Sequence, residues 1–220
     1  MLSGRRSFCG GASIVDAALV LCASEQGEQI VLVDLLDPNV HVAPSTWTAN
    51  AFRNAAVRTV HFDQYVIGAD RFIGPPNWYG ARPGFWFGAV GVTALWAGLA
   101  DALLHYLPDL QRRSDSTSDL ARATIETSMW AVSATLSYVA ECIDGSRNRV
   151  PAHTNSKLDA VSARIAMRAH IDSVTKYFDQ EIGPAPYATQ PALAQLRNEL
   201  ALALSQHHGT RELSALQHRT

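Results

Sequence analysis

The sequence predicts an α+β chain: a partial antiparallel β-domain over residues 1–75, then an up-down four-helix bundle over residues 76–220. Three observations predict it. Short apolar runs, punctuated by turn residues, fill the first third. The breakers Gly74-Pro75-Pro76-Asn77 and Arg82-Pro83-Gly84 then interrupt the chain. Beyond them, apolar residues recur at steps of three and four, the spacing of one helix face.

Taken in order, the apolar run Ser13–Ala23 and the segment Gln29–Leu36 flank Glu25-Gln26-Gly27-Glu28, which reads as two strands and a short connection. Asp37-Pro38-Asn39 is a turn, with proline pre-set for its second position. In Val57–Ile67, Val60 and Phe62 share one side while Thr59, His61 and Asp63 share the other, as in a sheet with one wet face.

Four helices follow. The first is expected over about 85–107, before Pro108, with the stripe Phe85, Val92, Trp96, Leu99, Leu103. The second, about 119–143, carries Ile125, Met129, Val132, Leu136, Val139 and Ile143, starts near Ser116-x-x-Asp119 and stops at Asp144-Gly145. The third, about 156–181, runs on Leu158, Val161, Ile165, Met167, Ile171, Val174 and Phe178 until Gly183-Pro184. The fourth, about 191–206, uses Leu193, Leu196, Leu200 and Leu204, with Pro191 suited to a first turn.

Composition excludes several classes. The chain has 220 residues, 47% hydrophobic and 17% charged, which is neither a disordered chain nor a disulfide scaffold. Lys+Arg number 18 against Asp+Glu 20, with no basic run, which argues against a nucleic-acid partner. Cys9, Cys22 and Cys142 form no C-x-x-C pair and suit no zinc site, so they read as reduced, mostly buried packing thiols and no metal is expected. Gly10-Gly11 and Asp16 interrupt any signal-peptide core, and a cytoplasmic location is expected. Phe85–Ala100 carries no charge, but Asp101 and His105 follow before the ~20 apolar residues of a membrane span are reached. The expectation is a central, buried bundle helix with no membrane partner, in which Gly84-x-x-x-Gly88 lets a neighbour approach closely.

Four words in order resemble a known family. Gly4-Arg5-Arg6-Ser7-Phe8-Cys9-Gly10-Gly11-Ala12 is similar to the G-x-K-x-(W/F)-x-(S/T)-(N/G)-(A/G) segment of the acyl-CoA dehydrogenases. Trp47-Thr48-Ala49-Asn50-Ala51-Phe52-Arg53 with Val60-His61-Phe62-Asp63 resembles their "W…G-M-R…V-x-F-D" passage. Ile73-Gly74 with Arg82-Pro83-Gly84-Phe85-Trp86 resembles the entry to their bundle, and Gln206-His207-His208-Gly209-Thr210-Arg211-Glu212-Leu213 resembles a closing helix of a bacterial subgroup. The resemblance covers the second half of that family's middle β-domain and its C-terminal bundle.

What it implies is FAD, an acyl-CoA substrate and α,β-dehydrogenation of the thioester. A base takes the α-proton and the flavin accepts the β-hydride. It places Phe8, Cys9 and Gly10 against the flavin, with Gly10 where a Ser or Thr is usual. Ala51, Ala55 and Val57 likewise replace more polar family residues. It puts His208 where a catalytic Glu commonly stands, with Glu126, Glu141, Glu181, Glu199 and Glu212 as unranked alternatives. It puts Arg112 and Arg113 near a loop that reaches a flavin pyrophosphate, although the Phe-Gly part of that word is absent. It also implies a homodimer or tetramer through the helices, and a partner chain supplying the family's N-terminal half. The competing expectation is a catalytically degenerate relative that acts as an oligomerising, structural subunit.

Overall fold

The computed structural model describes residues 1–110, 116–147, 156–208 and 214. The chain divides into two compact units, Met1–Phe85 and Trp86–Thr220.

The first unit is built from two three-stranded antiparallel sheets. One joins β1 (Leu2–Cys9), β5 (Arg58–Tyr65) and β4 (Val40–Val42) in that order. The other joins β2 (Ala17–Ser24), β3 (Gly27–Asp34) and β6 (Phe72–Ile73). The β2–β3 hairpin turns at Glu25-Gln26, where the turn residues predicted it, and pairs continuously from Ala17↔Asp34 to Ser24↔Gly27. Val31 and Val33 of β3 join Val40, Val60 and Phe62 of the other sheet in one buried cluster. The alternation predicted for Val57–Ile67 therefore holds, with His61 and Asp63 exposed. The Asp34 N–H donates to Tyr65 Oη at 3.3 Å, tying the two sheets at one end of that core.

The β2–β3–β6 sheet departs from the one-wet-face expectation. Its second face carries a cross-strand row, Leu21–Ile30–Ile73, set by the registers Leu21↔Ile30 and Ile30↔Ile73. Both faces of this sheet are therefore apolar, and only one is spent on the core. A short helix, α1 (Trp78–Ala81), completes the unit.

The long helices are α2 (Pro83–Leu104), α4 (Ser116–Arg147), α5 (Ser156–Ile182) and α7 (Pro191–Leu204); α3 (Leu107–Leu110) and α6 (Ala185–Thr189) are short connectors. Contacts among the long helices give their directions. Ser118 near the start of α4 donates its hydroxyl to Glu181 at the end of α5 (2.8 Å), so these two run antiparallel. Asp179 of α5 accepts from Arg197 Nη2 of α7 (2.9 Å), and Arg168 Nη1 reaches the Leu204 carbonyl, so this pair is antiparallel too. Val139 and Ile143 late in α4 meet Trp86 and Val90 early in α2. Arg164 Nη1 of α5 donates to the Ala89 carbonyl at 3.0 Å, and Lys157 Nζ lies 5.4 Å from the Trp86 ring, so α2 and α5 run parallel. The result is the predicted up-down-up-down bundle.

Three local expectations change. Asp144-Gly145 does not stop the second helix, which continues to Arg147. A single glycine costs a helix only ~1 kcal/mol, and the packed turn holding Val139 and Ile143 precedes it. The first helix is not enclosed. Val90, Thr93, Trp96, Ala97, Ala100 and Leu103 are buried, whereas Gly84, Gly88, Gly91, Leu95 and Gly98 face outward. The glycines have no neighbour within 4 Å of a built Cβ among the described residues. The Gly84–Leu104 segment is long and apolar enough to cross a membrane by length and composition alone. The cysteines are half-buried and unpaired, not fully enclosed. The third helix does end as predicted: Gly183 takes a left-handed φ of 65°, and its N–H donates to the Asp179 carbonyl at 3.1 Å.

Asp179 also accepts from the Tyr187 hydroxyl, which joins α6 to the α5–α7 seam. Burial, reinforced by this carboxylate, pushes the Tyr187 hydroxyl well above its ordinary range. The sign follows by linkage. Above about pH 10 the unfolded chain loses this proton and the folded chain keeps it, so stability falls as pH rises. In Tyr187→Phe this alkaline decline is expected to flatten. Melting temperatures between pH 8 and 11 test it, and parallel curves for the two proteins would refute it.

Candidate functional site

A cavity of about 1030 Å3 lies within the first unit, against the second apolar face of the β2–β3–β6 sheet. Leu21, Ile30 and Ile73 lie along it as the row described above. One wall is the end of β1, Arg5 to Gly10; the other is the segment Trp78, Tyr79, Arg82. The rim exposes large apolar surface: Phe8 is 81% exposed and Leu19 64%. Exposed apolar residues gathered at one cavity, beside convergent charged groups, mark a binding site better than the same residues scattered would.

The β1 wall is shaped by a register shift against β5 between Arg6 and Cys9. Within that bulge Phe8 takes a φ of 60°, a left-handed conformation that is rare and strained for a bulky residue. Strain of this kind persists only where surrounding structure over-determines it, and it concentrates at functional positions. Here its effect is to leave the phenyl ring exposed at the cavity rim. Cys9 lies beside it, and its thiol donates to the Arg6 carbonyl at 3.3 Å. Burial raises the Cys9 pKa, with the Arg6 charge a weaker opposing influence, so the thiol stays protonated at neutral pH.

The other wall is fastened to the hairpin by two side chains. Asn77 Oδ1 accepts from the Glu28 N–H (3.0 Å), Asn77 Nδ2 donates to the Gln26 carbonyl (3.3 Å), and the Asn77 N–H donates to the Glu28 carbonyl (2.7 Å). Buried Gln29 donates Nε2 to the Gly74 carbonyl at 2.7 Å. Gly74 itself has a φ of 68°, and a Cβ there would stand 2.7 Å from Trp78 Cε3, so only glycine lets the indole seat. From this platform Arg82 turns back over both rings. Its Cζ is 4.4 Å from the Tyr79 ring centroid and 5.3 Å from that of Trp78. Its Nε is buried and has no hydrogen-bond partner among the described residues.

Of the residues singled out in the sequence, Phe8, Cys9 and Gly10 are brought to this one cavity. Arg112 and Arg113 lie outside the described residues, as do Gly209, Thr210 and Glu212. His208 is described and exposed, just beyond α7 in the second unit. Its neighbour His207 is half-buried, with its ring edge-on to Trp96 at 6.0 Å. Among the alternative carboxylates, Glu181 accepts from Ser118, Glu199 accepts from Gln195, and Glu126 and Glu141 are exposed. No group of three or more His, Cys, Asp or Glu able to hold a metal occurs among the described residues.

Sequence reasoning missed Trp78 and Tyr79 and took Arg82 only as part of a breaker and of the word that marks the entry to the bundle. The signal was present as Trp-Tyr-x-x-Arg: on a helical turn, a residue three or four positions on meets those rings.

No family model and no curated protein matches the chain. Solved structures do. A glutaryl-coenzyme A dehydrogenase in complex with glutaryl-CoA matches at TM-score 0.76 and 16% identity, over 91% of this chain and 53% of that one. TdsC from Paenibacillus sp. A11-2, in complex with FMN and indole, matches at TM-score 0.80 and 15% identity, over 96% and 61%. The ChsE4-ChsE5 complex from Mycobacterium tuberculosis matches at TM-score 0.75 and 17% identity, over 98% and 58%. The chain thus has the acyl-CoA dehydrogenase fold and spans between about half and three-fifths of the chains it matches.

Proposed function

We propose that this chain is a flavoprotein of the acyl-CoA dehydrogenase type, that its flavin ring occupies the cavity of the first unit, and that it introduces an α,β double bond into an acyl-CoA thioester. The observation that carries the reading is the gathering of Phe8, Cys9 and Gly10 with Trp78 and Tyr79 around one apolar sheet face. A flat, largely apolar ring system needs such a floor and aromatic edges to replace water. The residues present fit that requirement through Leu21, Ile30 and Ile73 below and Phe8 at the rim. FAD is the cofactor the sequence resemblance implies; FMN is the flavin in the TdsC complex, so both belong in the test.

When bound, the flavin supplies the hydride acceptor. The protein must bind, orient and move one proton. His208 is the residue proposed to take the α-proton, since an imidazole is able to act as a base near neutral pH. Gly10 offers no side-chain hydroxyl to the ring, so any hydrogen bond from this position comes from the backbone. The same absence favours the second reading, a flavin-fold subunit without turnover. In either case association through the helices is proposed, with Trp130 and Tyr138 exposed on α4 and the ChsE4-ChsE5 complex as precedent for assembly. A monomer in light scattering would overturn that part.

The experiment is a visible spectrum of the purified chain with added FAD or FMN, followed by an acyl-CoA turnover assay. Flavin bound at excess, with turnover once a partner chain supplying the family's N-terminal half is added, is the expected result. Flavin without turnover selects the second reading, and no bound flavin at excess overturns the flavin assignment. In an active preparation, His208→Ala is expected to lower kcat by about 10²–10⁴-fold. Unchanged turnover would remove His208 from the mechanism.

A further inference from the structure

We propose that the open edge of β2 pairs with the β2 edge of a second copy of this chain, antiparallel about a two-fold axis at Val20, so that one sheet runs through both copies. The inference does not rest on the flavin reading, and it concerns a different surface from the helices. A sheet edge is a row of unpaired backbone groups, and proteins guard such rows with brevity, charge or bulges. The first unit has four edges: β1 and β4 in one sheet, β2 and β6 in the other. β4 has three residues and β6 two. β1 carries Arg5 and Arg6, and two register shifts break its pairing. β2 has no such guard. Its eight residues, Ala17–Ser24, include no charge and no proline, and its ladder with β3 runs without a shift. None of the eight is buried, whereas Gln29, Ile30, Val31 and Val33 of β3 are.

The phase of the ladder fixes what this edge offers. The Leu35 N–H donates to the Asp16 carbonyl at 2.8 Å, so the even-numbered residues of β2 turn their N–H and C=O groups to β3. Ala17, Leu19, Leu21 and Ala23 turn theirs outward, and β2 pairs with no strand but β3. The order of side chains singles out a second copy as the occupant. Ala-Ala-Leu-Val-Leu-Cys-Ala, residues 17–23, reads nearly the same from either end about Val20. In an antiparallel pair centred there, Ala17 meets Ala23, Ala18 meets Cys22, Leu19 meets Leu21 and Val20 meets itself, each matched in size. That register also makes Leu19 and Leu21 of the two copies hydrogen-bonded partners. The flanking charges, Asp16 and Glu25, fall opposite Ser24 and Val15, so no like charges meet. A strand from another source needs none of this symmetry. Leu19 of the second copy then lies beside Leu21 and lengthens the apolar row Leu21–Ile30–Ile73, so each copy adds to the floor of the other's cavity.

Amide hydrogen exchange on the full chain, followed over a range of protein concentrations, tests the pairing. The Leu19 and Leu21 N–H groups are expected to exchange at least about tenfold more slowly in concentrated than in dilute samples. Leu19→Lys places a charge on the edge, at a side chain that is 64% exposed, and acts twice in a symmetric dimer. It is expected to remove that difference and to raise the dissociation constant in sedimentation by about tenfold or more, with an unchanged Tm at dilution. Val20→Cys is expected to cross-link two copies under diamide, since facing residues of this kind stand ~4.5 Å apart at Cα. Ala23→Cys is the control: its position is more exposed, but the two copies of residue 23 stand ~20 Å apart in this register, and no cross-link is expected. Fast exchange at Leu19 and Leu21 at every concentration overturns the proposal. So does protection that persists in a monomeric sample, which assigns the edge to another segment of chain. Exchange and association both unchanged in Leu19→Lys leave assembly to the helices and overturn the pairing. Equal cross-linking of the two cysteine variants overturns the axis at Val20. Should Val20→Cys fail to fold, exchange and Leu19→Lys decide the matter.

Discussion

Gly74→Val is expected to destabilise the strand unit by about 2–5 kcal/mol and to abolish the flavin retention proposed above. Two effects add at this position. The backbone is left-handed, with φ 68°, where an L-residue costs ~1–2 kcal/mol and a β-branched one is worse placed still. The new Cβ would also fall 2.7 Å from Trp78 Cε3 and 3.0 Å from Cδ2, well inside contact distance. Relieving such overpacking typically costs ~1–3 kcal/mol. Trp78 has little freedom to yield, because Asn77 anchors the preceding residue to Glu28 and Gln26 by three hydrogen bonds. The indole must therefore move out, and the Arg82 stack moves with it. For a unit of this size a loss of 2 kcal/mol corresponds to ~8–16 °C in Tm. Calorimetry of the variant, with its flavin spectrum, is the measurement. A wild-type Tm with undiminished flavin binding would show that the Trp78 wall does not shape the cavity as described.

Phe178→Ala is expected to cost the bundle about 3–5 kcal/mol. Phe178 is fully buried in α5, in line with Val174, Ile171 and Met167, which are equally enclosed. Truncation removes the ring's transfer energy and leaves a void that a close-packed helical seam cannot collapse to fill. Trp130→Ala is the control. Its side chain is 74% exposed on α4, so at a dilution where the chain is monomeric its loss should stay within about 0.5 kcal/mol. Urea unfolding monitored by circular dichroism separates the two. Similar midpoints for both variants would mean that Phe178 does not sit in the core.

The legible part of this fold is local. The α4 and α5 stripes lie where steps of three and four placed them, because helix periodicity is written in residues that are neighbours along the chain. Val132 and Val139 are buried, and so are Met167, Ile171 and Phe178. The β2–β3 hairpin was legible in its turn and its two strands, although the first strand starts at Ala17 rather than at Ser13, and its register came only from the structure. The α2 stripe was only partly so. Trp96 and Leu103 are buried as expected, yet Val92 and Leu99 are half-buried and Ala97 and Ala100 take the inner positions. In a helix apolar on nearly every side, the sequence does not say which face a neighbour will cover.

The candidate site divides the same way. Phe8, Cys9 and Gly10 were reached as one contiguous word of the family resemblance. Trp78, Tyr79 and Arg82 were not, because what matters about them is that Asn77 and Gln29 fasten their segment to a hairpin some fifty residues earlier. The amino-acid order alone settled the class of fold and the helix faces of α4 and α5, since each depends on short-range pattern. Strand pairing across the chain decided the second apolar sheet face and the opposite wall with its stacked guanidinium, since a cavity exists only between segments that long-range hydrogen bonds and burial bring together.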